Sequence, residues 1–272
     1  MINPIDREAL REQVRSSSPY PHCLIDHFLA DDFVERVHDA FPSFEQARRM
    51  GHEFRTVNEK NKVQITDSSR FDSPVAALNQ LLAAPALTST LSYAFDIPEL
   101  LPDDQLTGGG IHQTGPGGRL DVHVDFNFLE HRKLFRRLNL LLYFNKEWPP
   151  GWGGNLELWD DQVKVCKRSF APLFNRCVII ATTRAAYHGV SAVNCPPEHA
   201  RRSFAAYYYT RESPPDWDGE VHPTVFRSRP DERVKGHILM PLEQGYRQAR
   251  KAKQVLKGMV KSRLKIRPPK EG

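Results

Sequence analysis

From Pro102 onward the chain is punctuated by glycine-rich turns that separate short runs of Val, Ile, Leu, Phe and Tyr. No other feature narrows the fold so much. The runs are residues 109–114, 120–126, 137–145, 155–160, 163–166, 176–182, 187–193 and 201–210. Eight short strands at fairly even spacing predict a β-sandwich or jelly roll. The preceding hundred residues follow a different grammar. Residues 4–15 predict a short polar helix, and Cys23-Leu24-Ile25 a strand. Residues 30–41 read as an amphipathic helix, with Asp31 or Asp32 as its cap and Phe33, Val34, Val37 and Phe41 on one face. A second helical region over 73–95 carries Leu78, Leu81, Leu82, Leu87 and Leu91, with Pro85 placed to break it. Helices followed by a block of strands argue for a segregated α+β fold over a doubly wound parallel sheet.

The 272 residues allow one large domain, or one domain with appendages. With 40% hydrophobic and 26% charged residues there is enough apolar material for a core, which excludes disorder as the main state. The longest apolar runs, such as Val178-Ile179-Ile180-Ala181, fall far short of the ~20 residues of a membrane span. The N-terminus lacks a basic stretch leading into an apolar one, so a cytoplasmic location is expected. Cys23, Cys166, Cys177 and Cys195 are too few and too scattered for a disulfide framework, and read as reduced packing residues.

The net charge of +5 is unevenly spread, because residues 226–272 hold 14 Lys and Arg against 4 Asp and Glu, leaving −5 on residues 1–225. We therefore divide the chain into a domain over 1–225 and a basic tail over 226–272. In the tail, Leu242, Tyr246, Ala249, Leu256, Met259 and Val260 form a stripe that predicts a basic amphipathic helix over 241–264. Such a helix packs on the body, contacts an anionic membrane, or contacts RNA or the ribosome. The sequence leaves the three open, as it does the oligomeric state.

The chemistry-bearing residues lie in the strand block. In His123-Val124-Asp125 the two outer side chains share a strand face and can hold one metal ion. Alone this triplet is a weak signal. His188 follows in a late strand, and two histidines with one carboxylate suit a non-haem Fe(II) centre with open coordination positions. Thirteen residues later, Arg201-Arg202-Ser203 puts Arg201 and Ser203 on one face and Arg202 on the other. A guanidinium beside a hydroxyl can clamp a carboxylate. Tyr143 and Asn139 share a face of the strand 138–143, where polar groups among apolar ones invite a polar ligand.

Over roughly residues 105–210 these motifs resemble the Fe(II)- and 2-oxoglutarate-dependent dioxygenases, in particular the prolyl-hydroxylase branch. The resemblance rests on Pro116-Gly117-Gly118-Arg119-Leu120 before His123-Val124-Asp125, and on Leu142-Tyr143-Phe144-Asn145-Lys146-Glu147-Trp148. It continues through Gly153-Gly154-Asn155-Leu156-Glu157-Leu158, His188 and Arg201-Arg202-Ser203. Cys23-Leu24-Ile25-Asp26-His27-Phe28-Leu29, followed by a helix, is similar to the opening segment of these proteins. The resemblance implies a double-stranded β-helix (jelly-roll) core, with His123, Asp125 and His188 as ligands of Fe(II). It implies that Arg201 pairs with the distal carboxylate of 2-oxoglutarate, helped by Ser203 and Tyr143, with Asn139 in the same pocket. Gln113 stands where relatives often place a tyrosine beside the cosubstrate. The implied cofactors are Fe(II), 2-oxoglutarate and O2, with ascorbate as an optional addition. The implied reaction is hydroxylation of an unactivated C–H bond with release of succinate and CO2. Related halogenases lack the carboxylate ligand that Asp125 supplies here.

Within this reading the expected substrate is a prolyl residue of a protein. A small molecule, such as a free amino acid or a sugar- or lipid-linked precursor, is the alternative, and a non-catalytic jelly-roll binding module is the rival from another class. The glycines at 108–110 and 115–118 read as turns, because no helix opens after them as a phosphate loop requires. Neither a Gly-x-Ser-x-Gly elbow nor a His-Glu-x-x-His motif occurs. Trp148 and Trp152, flanking Pro149-Pro150-Gly151, fit either a lid over the iron or an ordered surface loop. His112, His131, His199 and His222 receive no role.

Overall fold

A computed structural model describes residues 1–232 and 234–241 of the chain. Met1–Arg227 form one compact unit, and a second begins at Ser228. The described part of the second contains a π-helical segment, Lys235–Leu239. The basic helix expected over 241–264 lies outside the described residues apart from its first position. No helix among the described residues is long and apolar enough to cross a membrane.

The first unit opens with helix α1 (Arg7–Arg15), strand β1 (His22–Ile25), helices α2 (Asp31–Asp39) and α3 (Phe44–Met50), strands β2 (His52–Arg55) and β3 (Glu59–Ile65), and helices α4 (Ser73–Leu82) and α5 (Pro85–Phe95). Strands β4 (Leu101–Pro102), β5 (Gly110–Val124), β6 (Phe128–Leu129) and β7 (Leu134–Tyr143) follow. The unit ends with β8 (Leu156–Trp159), β9 (Cys166–Phe170), β10 (Cys177–Ala181), β11 (His188–Val190), β12 (Arg201–Thr210) and β13 (Val225–Arg227). The fold is α+β with a jelly-roll core.

The strands run in the order β1-β10-β7-β12-β5-β11-β8-β9, all neighbours antiparallel. Register assigns each side chain a face. Across β7 and β12, Leu142 lies opposite Phe204 and Leu140 opposite Ala206, while Tyr143 lies opposite Ser203 and Asn139 opposite Tyr207. The first set packs against the helices, in one core with Val75, Leu78, Leu82, Leu87 and Leu91. Tyr208 ties the two layers together by donating its hydroxyl hydrogen to Leu82 O at 2.8 Å. The second set faces the hollow of the curled sheet. Helices on one side thus press the sheet into shape, and the opposite side is left to carry polar groups.

The expected break at Pro85 is present, with the proline in the first turn of α5, where its missing N–H costs nothing. Ala30, not Asp31 or Asp32, is the N-cap of α2. Both aspartates fall inside the first turn, where their charge still favours the positive helix end. Residues 109–114 and 120–126, expected as two strands, form the single strand β5. Between them the ladder to β3 skips: Lys62 pairs with Thr114 and Lys60 with Arg119, so residues 115–118 bulge out opposite Asn61. Asn61 Nδ2 donates to Pro116 O at 2.9 Å, and Val193 clasps the bulge through Gly117 N and Gly118 O. The glycines therefore bend a strand and do not end it. The run expected at 163–166 is a turn, since the Asp160 carboxylate accepts from Lys164 N and Val165 N, and β9 starts only at Cys166. The β2–β3 hairpin and α3, which opens on a Ser43/Gln46 capping box, carry polar patterns that the hydrophobic periodicity did not flag.

Candidate metal centre

His123 near the end of β5 lies directly opposite His188 at the start of β11. Neighbouring antiparallel strands bring facing residues close, and the two imidazole rings stand 4.3 Å apart between centroids. Asp125 follows β5 by one residue and turns its carboxylate between them. His123 Nε2 lies 3.5 Å from Asp125 Oδ1, and His188 Nε2 3.4 Å from Oδ2. Among the described residues these three form the group of ligand-type side chains able to hold a metal ion.

Protonation shows whether a metal fits. His123 Nδ1 is 2.8 Å from Asp121 O and His188 Nδ1 2.9 Å from Ala186 O. A carbonyl only accepts, so each Nδ1 carries a hydrogen, the tautomer that can offer its Nε2 lone pair to a metal beside the carboxylate. Burial above all lowers the pKa of His188 and favours its neutral form. Two lone pairs and an anion facing one another at this distance repel unless a cation sits among them. The separations are close to the roughly 3 Å between adjacent ligands of an ion with ~2.1 Å bonds. The residues fit a divalent metal.

The carboxylate is supported by residues that the sequence reading missed. Arg136, buried in β7, places Nη2 3.2 Å from Asp125 Oδ2. Its guanidinium stacks 3.6 Å from the Tyr207 ring centroid and 4.7 Å from that of Phe126. Asn139 completes the link, accepting from Arg136 Nε at 2.8 Å and donating to Asp125 Oδ2 at 2.7 Å. Burial opposes ionisation of Asp125, but the Arg136 guanidinium outweighs it and holds the carboxyl well below its usual range. Asn139, expected in the cosubstrate pocket, instead orients the metal-binding carboxylate.

Arg201 and Ser203 sit on the hollow face of β12, with Tyr143 opposite Ser203 on β7. Arg201 Nη1 is 3.3 Å from Ser203 Oγ, Nε donates to Gly154 O at 2.7 Å, and the guanidinium lies 4.9 Å from the Tyr143 ring centroid. Gly154 is required here twice over. Its φ is +68°, and a Cβ would come within 3.1 Å of Arg201 Cδ and 3.2 Å of Trp148 Cζ2. Arg201 Nη2 and the Tyr143 hydroxyl are both buried without a hydrogen-bond partner. Buried donors in want of an acceptor, one of them on a cation, mark the place of an absent anion. A carboxylate with two oxygens would satisfy both.

Gln113 is not in this pocket. It lies opposite Arg202, on the helical side of the sheet, and donates Nε2 to Pro42 O at 2.7 Å. The bulge at 115–118 shifts the count, and His112 and Thr114, opposite Ser203 and Arg201, take the hollow face. His112 is buried, and its Nε2 lies 3.0 Å from Gly108 O. Burial, with the Lys62 charge, pushes its pKa down to about 3. Of the readings for Trp148 and Trp152, the ordered one describes the structure. Trp148 is buried, donates Nε1 to Gly153 O at 2.7 Å and packs edge-on against Trp152 with Val193 and Cys195.

Residues 109–239 match the family model of the 2OG-Fe(II) oxygenase superfamily. The chain is similar to the Prolyl 3-hydroxylase OGFOD1 of Mus musculus, with 24% identity over 229 residues, which is 76% of this chain and 35% of the mouse protein. The chain thus spans about a third of the length of that curated relative. Among solved structures, a Pseudomonas putida prolyl-4-hydroxylase superposes with a TM-score of 0.50 at 17% identity, covering 75% of this chain and 100% of the other. A prolyl hydroxylase from Trichoplax adhaerens, in complex with a hypoxia inducible factor oxygen degradation domain peptide fragment, gives a TM-score of 0.51 at 16% identity, covering 75% and 88%. At such identities the likeness is one of fold.

Proposed function

The chain belongs to the 2OG-Fe(II) oxygenase superfamily, and from that premise we propose that it hydroxylates an unactivated C–H bond, with a prolyl residue of a protein as substrate. The observation that carries the activity is the pairing of two features in one hollow. A histidine–aspartate–histidine set has its lone pairs turned inward, and a buried arginine and tyrosine lack an acceptor. Support for the prolyl substrate comes from the names of the mouse, Pseudomonas and Trichoplax proteins.

His123, Asp125 and His188 would hold Fe(II) from one side. Bound there with 2-oxoglutarate and O2, the metal supplies the oxidising power for C–H hydroxylation. Everything else is the work of the chain's own side chains. Arg201 and Tyr143 would grip the distal carboxylate of 2-oxoglutarate, fixing its orientation relative to the metal ligands, and Ser203 steadies the guanidinium. Arg136 and Asn139 keep Asp125 ionised and hold Oδ2, which limits how the carboxylate can turn. The Phe126 and Tyr207 rings on which Arg136 stacks fix the guanidinium beside the same carboxylate.

The test is succinate formation from 2-oxoglutarate by the purified full chain with Fe(II), in the presence of prolyl-containing peptides and of cell extract, read by mass spectrometry for species gaining 16 Da. Iron-dependent turnover with a hydroxylated prolyl residue is expected. Turnover restricted to a small molecule would move the substrate class. An absence of both 2-oxoglutarate binding and turnover would favour a binding module.

A further inference from the structure

Arg201 and Arg202 are neighbours in sequence but serve opposite faces of β12. On the face away from the candidate metal site the fold forms an open-sided cavity of about 310 Å³, lined among others by Arg202, His38, Asn145, Lys146, Glu147 and Glu198. Its deep wall is built and fixed. Asn145 accepts from the backbone N–H of Arg202 at 2.8 Å and donates to Pro172 O at 2.7 Å and Arg202 O at 3.2 Å. His38 Nδ1 donates to Phe144 O at 3.0 Å, and burial keeps its pKa low, so the ring is neutral at physiological pH.

Arg202 is the exception in this wall. It is half-buried, and burial lowers its pKa with no charge opposing the effect. Among the described residues its guanidinium has no carboxylate partner. Lys146, by contrast, is already paired with Glu35. Glu147 and Glu198 are exposed, where solvent screens them. A guanidinium held partly out of water keeps its planar fork of donors and gains most from an oxyanion.

We propose that this cavity binds a small molecule through one carboxylate or phosphate group on Arg202. Alternation along β12 keeps this site apart from Arg201, so the proposal does not depend on the cosubstrate reading.

The experiment is calorimetric titration of the full chain, loaded with Mn(II) and saturating 2-oxoglutarate so that the Arg201 pocket is filled. The two probes are acetate and methyl phosphate. Saturable binding of at least one, with a Kd of ~10 mM or tighter, is expected. Preference between them identifies the anion. Arg202→Gln should weaken that binding at least about tenfold while the affinity for 2-oxoglutarate, which also reports correct folding, stays unchanged; Arg202→Lys should retain part of it. The proposal is overturned if neither probe saturates, or if Arg202→Gln binds the probe as tightly as the parent chain.

Discussion

Replacing Arg201 by Met separates the clamp from the scaffold, because the structure gives the two effects opposite signs. Arg201 is buried and, among the described residues, has no carboxylate to neutralise it, while Nη2 lacks any partner. In the free protein the guanidinium is therefore a cost. Removing it relieves desolvation, set against the loss of the Arg201 Nε contact to Gly154 O and the longer Nη1 contact to Ser203 Oγ, each worth about 1 kcal/mol or less. The stability of the cosubstrate-free protein should change by no more than ~1 kcal/mol in either direction. Binding should suffer far more. Truncating one partner of a buried, hydrogen-bonded charge pair costs ~2–4 kcal/mol, or roughly 30- to 1,000-fold in Kd for 2-oxoglutarate. Calorimetry of the Mn(II)-loaded protein with 2-oxoglutarate gives the second quantity, and urea denaturation without it gives the first. A variant that loses more than about 2 kcal/mol of stability while its affinity for 2-oxoglutarate drops less than threefold would show that Arg201 is a structural residue and that the buried donors await nothing.

Three further outcomes follow from the same geometry. His188→Ala should abolish stoichiometric Fe(II) or Co(II) binding in a spectroscopic titration while circular dichroism stays native; retention of metal would exclude it as a ligand. Gly154→Ala should cost ~1–3 kcal/mol by denaturation, since it forces a Cβ onto a residue with φ of +68°, and should also weaken 2-oxoglutarate binding by displacing Arg201. Burial, with the Lys62 charge, pushes the His112 pKa from its ordinary 6.5 down to about 3. Between those values the unfolded chain binds the extra proton, so stability falls as pH drops through the window, by up to about 1.4 kcal/mol per pH unit. His112→Gln should flatten that acid limb in urea midpoints, and an unchanged slope would refute the assignment.

The sequence disclosed the chemistry better than the architecture around it. His123, Asp125, His188, Arg201, Ser203 and Tyr143 were legible because polar groups at period two stand out in strands that are otherwise apolar. The same logic failed wherever a strand departs from a regular pleat. Gln113 was named only by resemblance, and alternation could not have checked it, because the bulge at 115–118 resets which side of β5 each residue faces, a reset that depends on pairing with β3 about fifty residues earlier. Arg136 was passed over since it precedes the apolar run 138–142 and its partners, Asp125 and Tyr207, are brought to it only by the curled sheet. Asn139 was found but given the wrong neighbour for the same reason. The β2–β3 hairpin escaped notice because residues 59–62 are all charged or amide side chains, leaving Val63 and Ile65 as the only apolar positions of β3.

The guanidinium beneath the metal-binding carboxylate also restricts how this chain can evolve. A descendant that traded Asp125 for glycine, the change that would make room for a halide ligand, would leave Arg136 as an uncompensated interior cation, at a cost of ~3–5 kcal/mol. Much of the free energy that keeps an ordinary domain folded would be spent at one stroke. Two substitutions would have to arrive together, or the incoming anion itself would have to neutralise the arginine. Asp125 thus serves the fold, as the counter-charge of a buried arginine, as well as the candidate site.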